Sequence, residues 1–224
     1  MCFLLFSCFH PFVLSCLVLV MRLGAVIVMQ TTKPPEQVAQ PNEYLNTVSK
    51  YQGAFSPEEC DAVIQLARAA PSQDGVLDSK HSENYRKTRS SLVHFIDYSP
   101  AFDWVFAKLR DLTINANQSY RFDIHGFRER LQVAEYGVGD HFDWHLDLSG
   151  GPTSTRKLSV SVFLSDAADY EGGDLEFFRT PACPTDRKRG TAIIFPSYLP
   201  HRVTPVTRGK RISLVAWIAG PPFR

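Results

Sequence analysis

The sequence predicts an α+β chain that is mainly β, with helices first and then one β domain of sandwich or jelly-roll type. Up to about residue 125, apolar residues recur at the spacing of a helix face in two segments. Beyond it, short runs rich in β-branched and aromatic residues alternate with turns rich in Gly, Pro and Asp. The 224 residues suit one domain with an appendage, and 16 Phe, 8 Tyr and 3 Trp provide the bulk of a core.

Residues 1–28 are an apolar leader whose composition differs from that of the rest of the chain. His10-Pro11 and Arg22 interrupt it, whereas a membrane-spanning helix needs about 20 continuous apolar residues. The basic start and small-residue cleavage site of a secretory signal are not evident either. We interpret the leader as the product of a start codon set too early, with Met21 and Met29 as possible later starts. A membrane anchor and a signal peptide are the other two interpretations.

Residues 29–52 are polar and contain prolines, which indicates a linker or arm, and residues 53–224 are predicted to form a single domain. The first helix should begin at Ser56-Pro57-Glu58-Glu59 and end near Ala70. There a serine can cap the helix, a proline suits its first position and a glutamate completes a capping box. A second helix is predicted over 101–117, where apolar residues again follow helical spacing.

Seven strands are predicted in the motif-bearing core of the domain, at about 125–220. They span 130–136, 141–147, 157–164, 174–178, 191–195, 200–205 and 210–218. The strand at 157–164 has the strongest pattern, because serines alternate with apolar residues over its first half. Residues 169–174 are predicted to form a turn.

Composition argues against several classes of protein. The net charge of +1 gives no global attraction to nucleic acid or to an anionic membrane, so neither is an expected partner. Beyond residue 16 only Cys60 and Cys183 occur, without a CxxC spacing, which argues against a disulfide framework or a structural zinc site. We therefore predict a cytoplasmic location, with anchoring or export through the leader as the alternative.

A candidate metal site comes from two successive His-x-Asp pairs, His141/Asp143 and His145/Asp147. Residues two apart in a strand point to the same face, so either pair could offer an imidazole and a carboxylate to one ion. His201 is a candidate third ligand near the start of a later strand. Two histidines and one carboxylate, with positions left open, are typical of non-haem Fe(II) oxygenases. The spacing alone leaves both pairs possible.

A cationic side chain suited to an organic acid follows ten residues after His201. Arg211 can grip a carboxylate through two parallel hydrogen bonds, which a lysine cannot do. If the two residues lie on neighbouring strands, a five-carbon diacid could chelate a metal at one end and meet Arg211 at the other.

Beyond about residue 125 the chain contains a series of motifs, which are Tyr136-x-x-Gly139-x-x-Phe142-x-x-His145-x-Asp147, Tyr170-Glu171-Gly172-Gly173-x-Leu175, Phe195-Pro196-Ser197 before His201, Val203-x-Pro205-Val206-x-x-Gly209-x-Arg211, and Trp217. Through these motifs the chain resembles the prolyl 4-hydroxylase-like (PKHD-type) 2-oxoglutarate/Fe(II) oxygenases. They extend over some 90 residues in the family's order and spacing. The sequence departs from the family at Phe142, where a tyrosine is frequent. Arg211 stands where collagen-type enzymes commonly have lysine, so the bacterial PKHD-like branch is closer.

The resemblance implies a double-stranded β-helix (jelly roll) with flanking N-terminal helices. It selects His145, Asp147 and His201 as ligands of Fe(2+), because the family's metal histidine lies nine residues after the tyrosine. It further implies that Arg211 and Tyr136 bind 2-oxoglutarate. The implied reaction is hydroxylation of an unactivated C–H by dioxygen, with release of succinate and CO2 and with L-ascorbate as a reductant.

The remaining assignments rest on weaker signals. Ser213 is a further candidate for cofactor binding, and Arg89, Arg128 and His141 are candidates for substrate binding. Trp217 is predicted to belong to the core. The expected substrate is a peptide or protein, with peptidyl proline first, or a small molecule. A non-catalytic metal-binding jelly roll and a cupin-like metalloisomerase are the alternatives, and formation of succinate would discriminate against both.

Overall fold

The computed structural model describes residues 41–70, 72–74, 88–178 and 187–223. The apolar leader and the first part of the predicted arm lie outside these residues, as does Cys183. The helices are α1 (Pro57–Arg68) and α2 (Asp103–Tyr120). No helix in these ranges is long and apolar enough to cross a membrane.

Fourteen strands are found in the described residues. They are β1 (Ser49–Tyr51), β2 (Ser72–Asp74), β3 (Arg89–Ser90), β4 (Leu92–Ile96), β5 (Gly126–Phe127), β6 (Leu131–Tyr136), β7 (His141–His145), β8 (Arg156–Phe163), β9 (Tyr170–Gly172), β10 (Leu175–Phe177), β11 (Ala192–Pro196), β12 (His201–Val203), β13 (Val206–Gly209) and β14 (Arg211–Ala219). All seven predicted strands are present, with bounds that differ by a few residues.

The strands form a large and a small antiparallel sheet with a cavity between them. The large sheet has the order β1-β11-β8-β14-β6-β4-β2, with β5 also paired to β14. The small sheet has the order β10-β12-β7-β3, and β13 pairs with β9 separately. Because most neighbours in the sheets are distant in the sequence, the arrangement is the predicted jelly roll rather than a meander.

The helices pack on one face of the large sheet and leave its other face to the cavity. The capping box predicted at Ser56 is present: Glu59 N donates to Ser56 Oγ (3.2 Å), and Ser56 N donates to Glu59 Oε2 (2.8 Å). Along β8, Leu158 and Val162 belong to the core shared with α1 and α2. The alternate residues Ser159 and Ser161 line the cavity instead. Every residue of β8 is therefore buried, yet only one face is apolar.

Three predicted segments differ from the structure. The predicted arm at 29–52 contains β1, which pairs with β11 at the edge of the large sheet. The helix predicted to end at 117 continues to Tyr120, and its C-cap is Arg121, whose backbone adopts the left-handed conformation (φ 57°). The turn predicted at 169–174 contains β9, which pairs with β13. Its Gly172 has φ +69°, and a Cβ there would lie 2.2 Å from the Pro205 carbonyl oxygen. The close pairing of β9 and β13, which local sequence does not encode, thus requires this glycine.

Candidate active site

The three predicted metal ligands lie together at one end of the small sheet. His145 ends β7, Asp147 follows in a bend, and His201 begins the neighbouring strand β12. His145 and His201 are direct partners in the β7–β12 register. The ligand atoms of all three residues lie within 4.8 Å of one another. Strand pairing therefore brings together residues that are 56 positions apart, or about a quarter of the chain.

The spacing of the donors suits a shared ion better than direct contacts. Nε2 of His145 is 3.7 Å from Oδ1 of Asp147, and Nε2 of His201 is 3.6 Å from Oδ2. Both separations are too long for hydrogen bonds. Two imidazoles and one carboxylate form the donor set of the facial triad that binds non-haem Fe(II). The residues present thus fit the metal that the sequence predicts.

Backbone carbonyls orient both imidazole rings. Nδ1 of His145 lies 2.8 Å from the Asp143 carbonyl, and Nδ1 of His201 lies 2.9 Å from the Leu199 carbonyl. Because a carbonyl can only accept, each Nδ1 carries the proton and donates it. The lone pair is then on Nε2, which faces Asp147.

A pair of serine hydroxyls supports the carboxylate of Asp147. Ser159 Oγ donates to Asp147 Oδ2 (2.6 Å) and lies 3.0 Å from Ser197 Oγ. Burial alone would raise the pKa of Asp147, but His201, His145 and the Ser159 hydrogen bond hold this pKa below its ordinary value. Burial, together with His201, lowers the pKa of His145 to about 4. At neutral pH His145 is therefore neutral and Asp147 ionised, as metal binding requires.

A β-bulge in β7 decides which of its residues face the cavity. Opposite His201 and Val203, which are two residues apart, β7 places His145 and Phe142, which are three apart. The extra residue turns both of these side chains toward the cavity, where their rings stack at 3.5 Å between centroids. The side chain of Asp143 is exposed and lies outside the cavity. The structure thus gathers the pair His145/Asp147 with His201, and not the alternative pair.

Arg211 lies at the start of β14 and is almost completely buried (1% exposed). Its Nη1 donates to Ser213 Oγ (2.9 Å), while its Nε is buried with no hydrogen-bond partner. The guanidinium lies 5.3 Å from the ring centroid of Tyr136, its register partner on β6. Within the described ranges, no carboxylate comes within 4.0 Å of it. A buried cation of this kind is costly unless an anion enters the cavity.

The candidates for substrate binding are placed differently from one another. Arg89, on β3, lines the same cavity as the metal ligands and is 6% exposed. His141 is partly buried and is not among the residues lining that cavity. Arg128 is exposed and lies in a separate surface cleft with Asp97 and Arg110. The structure thus brings only the first of the three to the candidate site.

Three residues near Asp147 were not identified from the sequence. Ser159 and Ser197 support its carboxylate, and Arg156 Nη1 donates to its backbone carbonyl (3.1 Å). The Arg156 guanidinium lies 3.8 Å from the ring centroid of Trp217. Trp217 is buried as predicted, but it lines the cavity, and its indole nitrogen has no hydrogen-bond partner. Serines alternating with apolar residues along β8 were the signal that could have pointed to Ser159.

Solved structures confirm the fold class. A prolyl-4-hydroxylase from Pseudomonas putida has a TM-score of 0.61 and 21% identity, covering 80% of this chain and 96% of that chain. A prolyl hydroxylase from Trichoplax adhaerens, in complex with a peptide fragment of the hypoxia inducible factor oxygen degradation domain, has a TM-score of 0.63 and 20% identity. It covers 79% of this chain and 86% of that chain. The fold is therefore the double-stranded β-helix of these oxygenases.

The sequence comparisons show the family. Residues 131–219 match the family model of the 2OG-Fe(II) oxygenase superfamily. A PKHD-type hydroxylase from Synechococcus sp. (strain CC9902) is 39% identical over 96 residues, in an alignment that covers 39% of this chain and only 40% of that protein. A PKHD-type hydroxylase from Sphingopyxis alaskensis is 35% identical over 171 residues, covering 70% of this chain and 74% of that protein. The chain therefore belongs to the PKHD-type hydroxylases of the 2OG-Fe(II) oxygenase superfamily.

Proposed function

We propose that the chain is an Fe(II)- and 2-oxoglutarate-dependent dioxygenase that hydroxylates an unactivated C–H of an amino-acid residue, releasing succinate and CO2. The observation that carries the proposal is the meeting of two features in one cavity. These are a His-Asp-His triad and a buried arginine without an anionic partner in the described residues. A site that only held a metal would have no need of the arginine.

The triad supplies the metal ligands. His145 and His201 bind through Nε2 and Asp147 through its carboxylate, with Ser159 engaging Oδ2. When bound, iron(II) supplies the redox chemistry that couples decarboxylation of 2-oxoglutarate to oxidation of a C–H bond by dioxygen. Three protein ligands leave coordination positions open for the two co-substrates.

Arg211 binds the distal carboxylate of 2-oxoglutarate. Nη1 already bonds Ser213, whereas Nε has no hydrogen-bond partner in the described residues and is therefore available to the carboxylate. Ser213 thereby contributes to co-substrate binding by orienting the guanidinium of Arg211. Tyr136, at the end of β6, packs beside the guanidinium and closes this side of the cavity. Gly173 leaves room for the side chain of Arg211, since a Cβ at position 173 would lie 2.9 Å from Arg211 Cδ.

The proposed substrate is a peptide, with peptidyl proline first, or a small molecule such as a free amino acid, and the proposed location is the cytoplasm. The solved Trichoplax enzyme, which shares the fold, holds a peptide fragment. Cys60, the one cysteine in the described residues, is buried and free, as suits a reducing compartment.

Succinate formation tests the proposal directly. Purified protein supplied with iron(II), 2-oxoglutarate and oxygen should release succinate, and anaerobic samples should not. His145→Ala, Asp147→Ala and His201→Ala should each lose bound iron and turnover while keeping the circular dichroism of the wild type. His141→Ala is the matched control and should retain iron, because its side chain lies outside the cavity. Absence of succinate would favour a metal-binding jelly roll or a metalloisomerase, and iron retained by His145→Ala would refute the assigned ligand.

A further inference from the structure

The cavity contains a second buried arginine, on the sheet opposite Arg211. Arg89 lies on β3 of the small sheet, whereas Arg211 lies on β14 of the large sheet. Nε of Arg89 donates to Ser91 Oγ (3.0 Å), and its guanidinium lies 4.7 Å from the ring centroid of Phe142. Phe142 stacks in turn on His145, so Arg89 is held beside the triad.

This guanidinium has no anionic partner in the part of the chain that the structure describes, where no carboxylate lies within 4.0 Å of it. Its contact with Phe142 stabilises the charge only partly, because cation–π attraction is weaker than the desolvation that burial imposes. A planar donor fork facing a cavity is suited to a carboxylate.

The charges lining the cavity do not balance when iron and 2-oxoglutarate are bound. With the histidines neutral, the ionised groups are Arg89, Arg211 and Asp147, which leave one net positive charge. Ferrous iron and the 2-oxoglutarate dianion cancel one another, so this positive charge persists in the loaded site. One further anionic group would neutralise it.

We propose that Arg89 binds a carboxylate of the primary substrate. The inference rests on the proposed function, in which Arg211 is already assigned to 2-oxoglutarate. Since Arg89 is held against His145 through Phe142, the carboxylate lies close to the carbon that is hydroxylated. The substrate class is then an amino acid with a free carboxylate, or a peptide with a C-terminal or acidic side-chain carboxylate beside the target residue.

Matched acid and amide probes test the inference on the anaerobic protein loaded with iron(II) and 2-oxoglutarate. The pairs are L-proline and L-prolinamide, N-acetyl-proline and its amide, and N-acetyl-glutamyl-prolinamide and its glutaminyl analogue. They represent a free amino acid, a chain terminus and an acidic side chain. Calorimetry should show at least one acid binding about 10- to 100-fold more tightly than its amide partner.

Variants test whether Arg89 causes the preference for the acid. Arg89→Gln should remove the preference for the acid, and Arg89→Lys should keep part of it, because the charge persists without the fork. Arg110→Gln removes an exposed arginine on α2 that pairs with Asp111, and it should leave the preference intact. All three should bind 2-oxoglutarate like the wild type.

Three outcomes separate the possibilities. A panel in which no acid binds more tightly than its amide partner, including one in which nothing binds, overturns the inference even if Arg89→Gln does not fold. Weakened 2-oxoglutarate binding in Arg89→Gln would assign the residue to the co-substrate and would also overturn it. Wild-type protein that releases no succinate from 2-oxoglutarate contradicts the proposed function instead, whatever the acid probes show.

Discussion

Replacing Arg211 by alanine should sharply weaken the use of 2-oxoglutarate while leaving iron binding almost unchanged. The guanidinium is 1% exposed, and its Nε has no partner inside the protein among the described residues. His145 and His201 lie on β7 and β12 of the other sheet, and Asp147 follows β7 in a bend, so the loss of a side chain from β14 should not displace the triad. The expected effect is therefore confined to the co-substrate.

The magnitude follows from the hydrogen bonds that are lost. A hydrogen bond to a charged group contributes about 1.5–3 kcal/mol, which corresponds to about a 10- to 150-fold rise in the apparent KM for 2-oxoglutarate. Arg211→Lys should give an intermediate value, because it keeps the charge but loses the two parallel donors. Burial of an unpaired ammonium should also make this variant less stable than the wild type.

Steady-state succinate release across a 2-oxoglutarate titration measures this effect, and bound iron is determined on the same samples. The control is Arg208→Ala, which removes an exposed arginine of β13 that pairs with Glu171 and should leave KM unchanged. A wild-type KM in Arg211→Ala would remove Arg211 from the co-substrate site. Loss of iron in the same variant would show that its role is structural.

Three further predictions concern iron affinity and stability. Ser159→Ala should weaken iron binding about 10- to 100-fold in a metal titration, because this substitution removes the hydrogen bond to Asp147. Ser159→Thr keeps the hydroxyl and should preserve the affinity for iron. Equal affinity in the wild type and both variants would contradict the prediction. Arg68 and Lys210 hold the pKa of the buried Glu135 at about 2 against an ordinary 4.5. Because the folded-state pKa is lowered, ionised Glu135 should contribute up to about 3 kcal/mol to the free energy of unfolding above pH 4.5, and this contribution should be lost as the pH falls toward 2. Urea unfolding of the wild type and Glu135→Gln over that pH range measures the contribution. A difference in stability that does not change with pH would refute the prediction. Gly172→Ala should destabilise the fold by more than Gly53→Ala does. Gly53 has a similar φ (+65°), but nothing lies within 4 Å of a Cβ added there. Equal unfolding midpoints for the two variants would show that the clash with Pro205 is relieved.

The sequence by itself determined the elements that carry their own pattern. The start of α1 followed from the capping box at Ser56, and β8 followed from alternating serine and apolar residues. Both rest on local physics: a cap satisfies backbone donors within one turn, and a strand that faces a core and a cavity needs period two. The three residues proposed as metal ligands were named from the sequence, although spacing alone left two His-x-Asp pairs and the family resemblance selected one.

Only the tertiary structure decided the short strands and the composition of the cavity. β3, β5 and β9 contain two or three residues each, which is too few for any period, and they form because a partner strand satisfies their backbone. The bulge that turns Phe142 and His145 to the same side depends on how β7 pairs with β12. No local rule encodes such a register shift.

The same reason explains why the sequence could not show which candidate residues meet at the site. Arg89, Arg128 and His141 have equal standing in the sequence, and only the pairing of β3 with β7 places Arg89 in the cavity. Ser197 reaches the support of Asp147 through Ser159, from a position 50 residues away. A pattern of residues predicts which face a side chain takes, but the register between distant strands decides what that side chain meets.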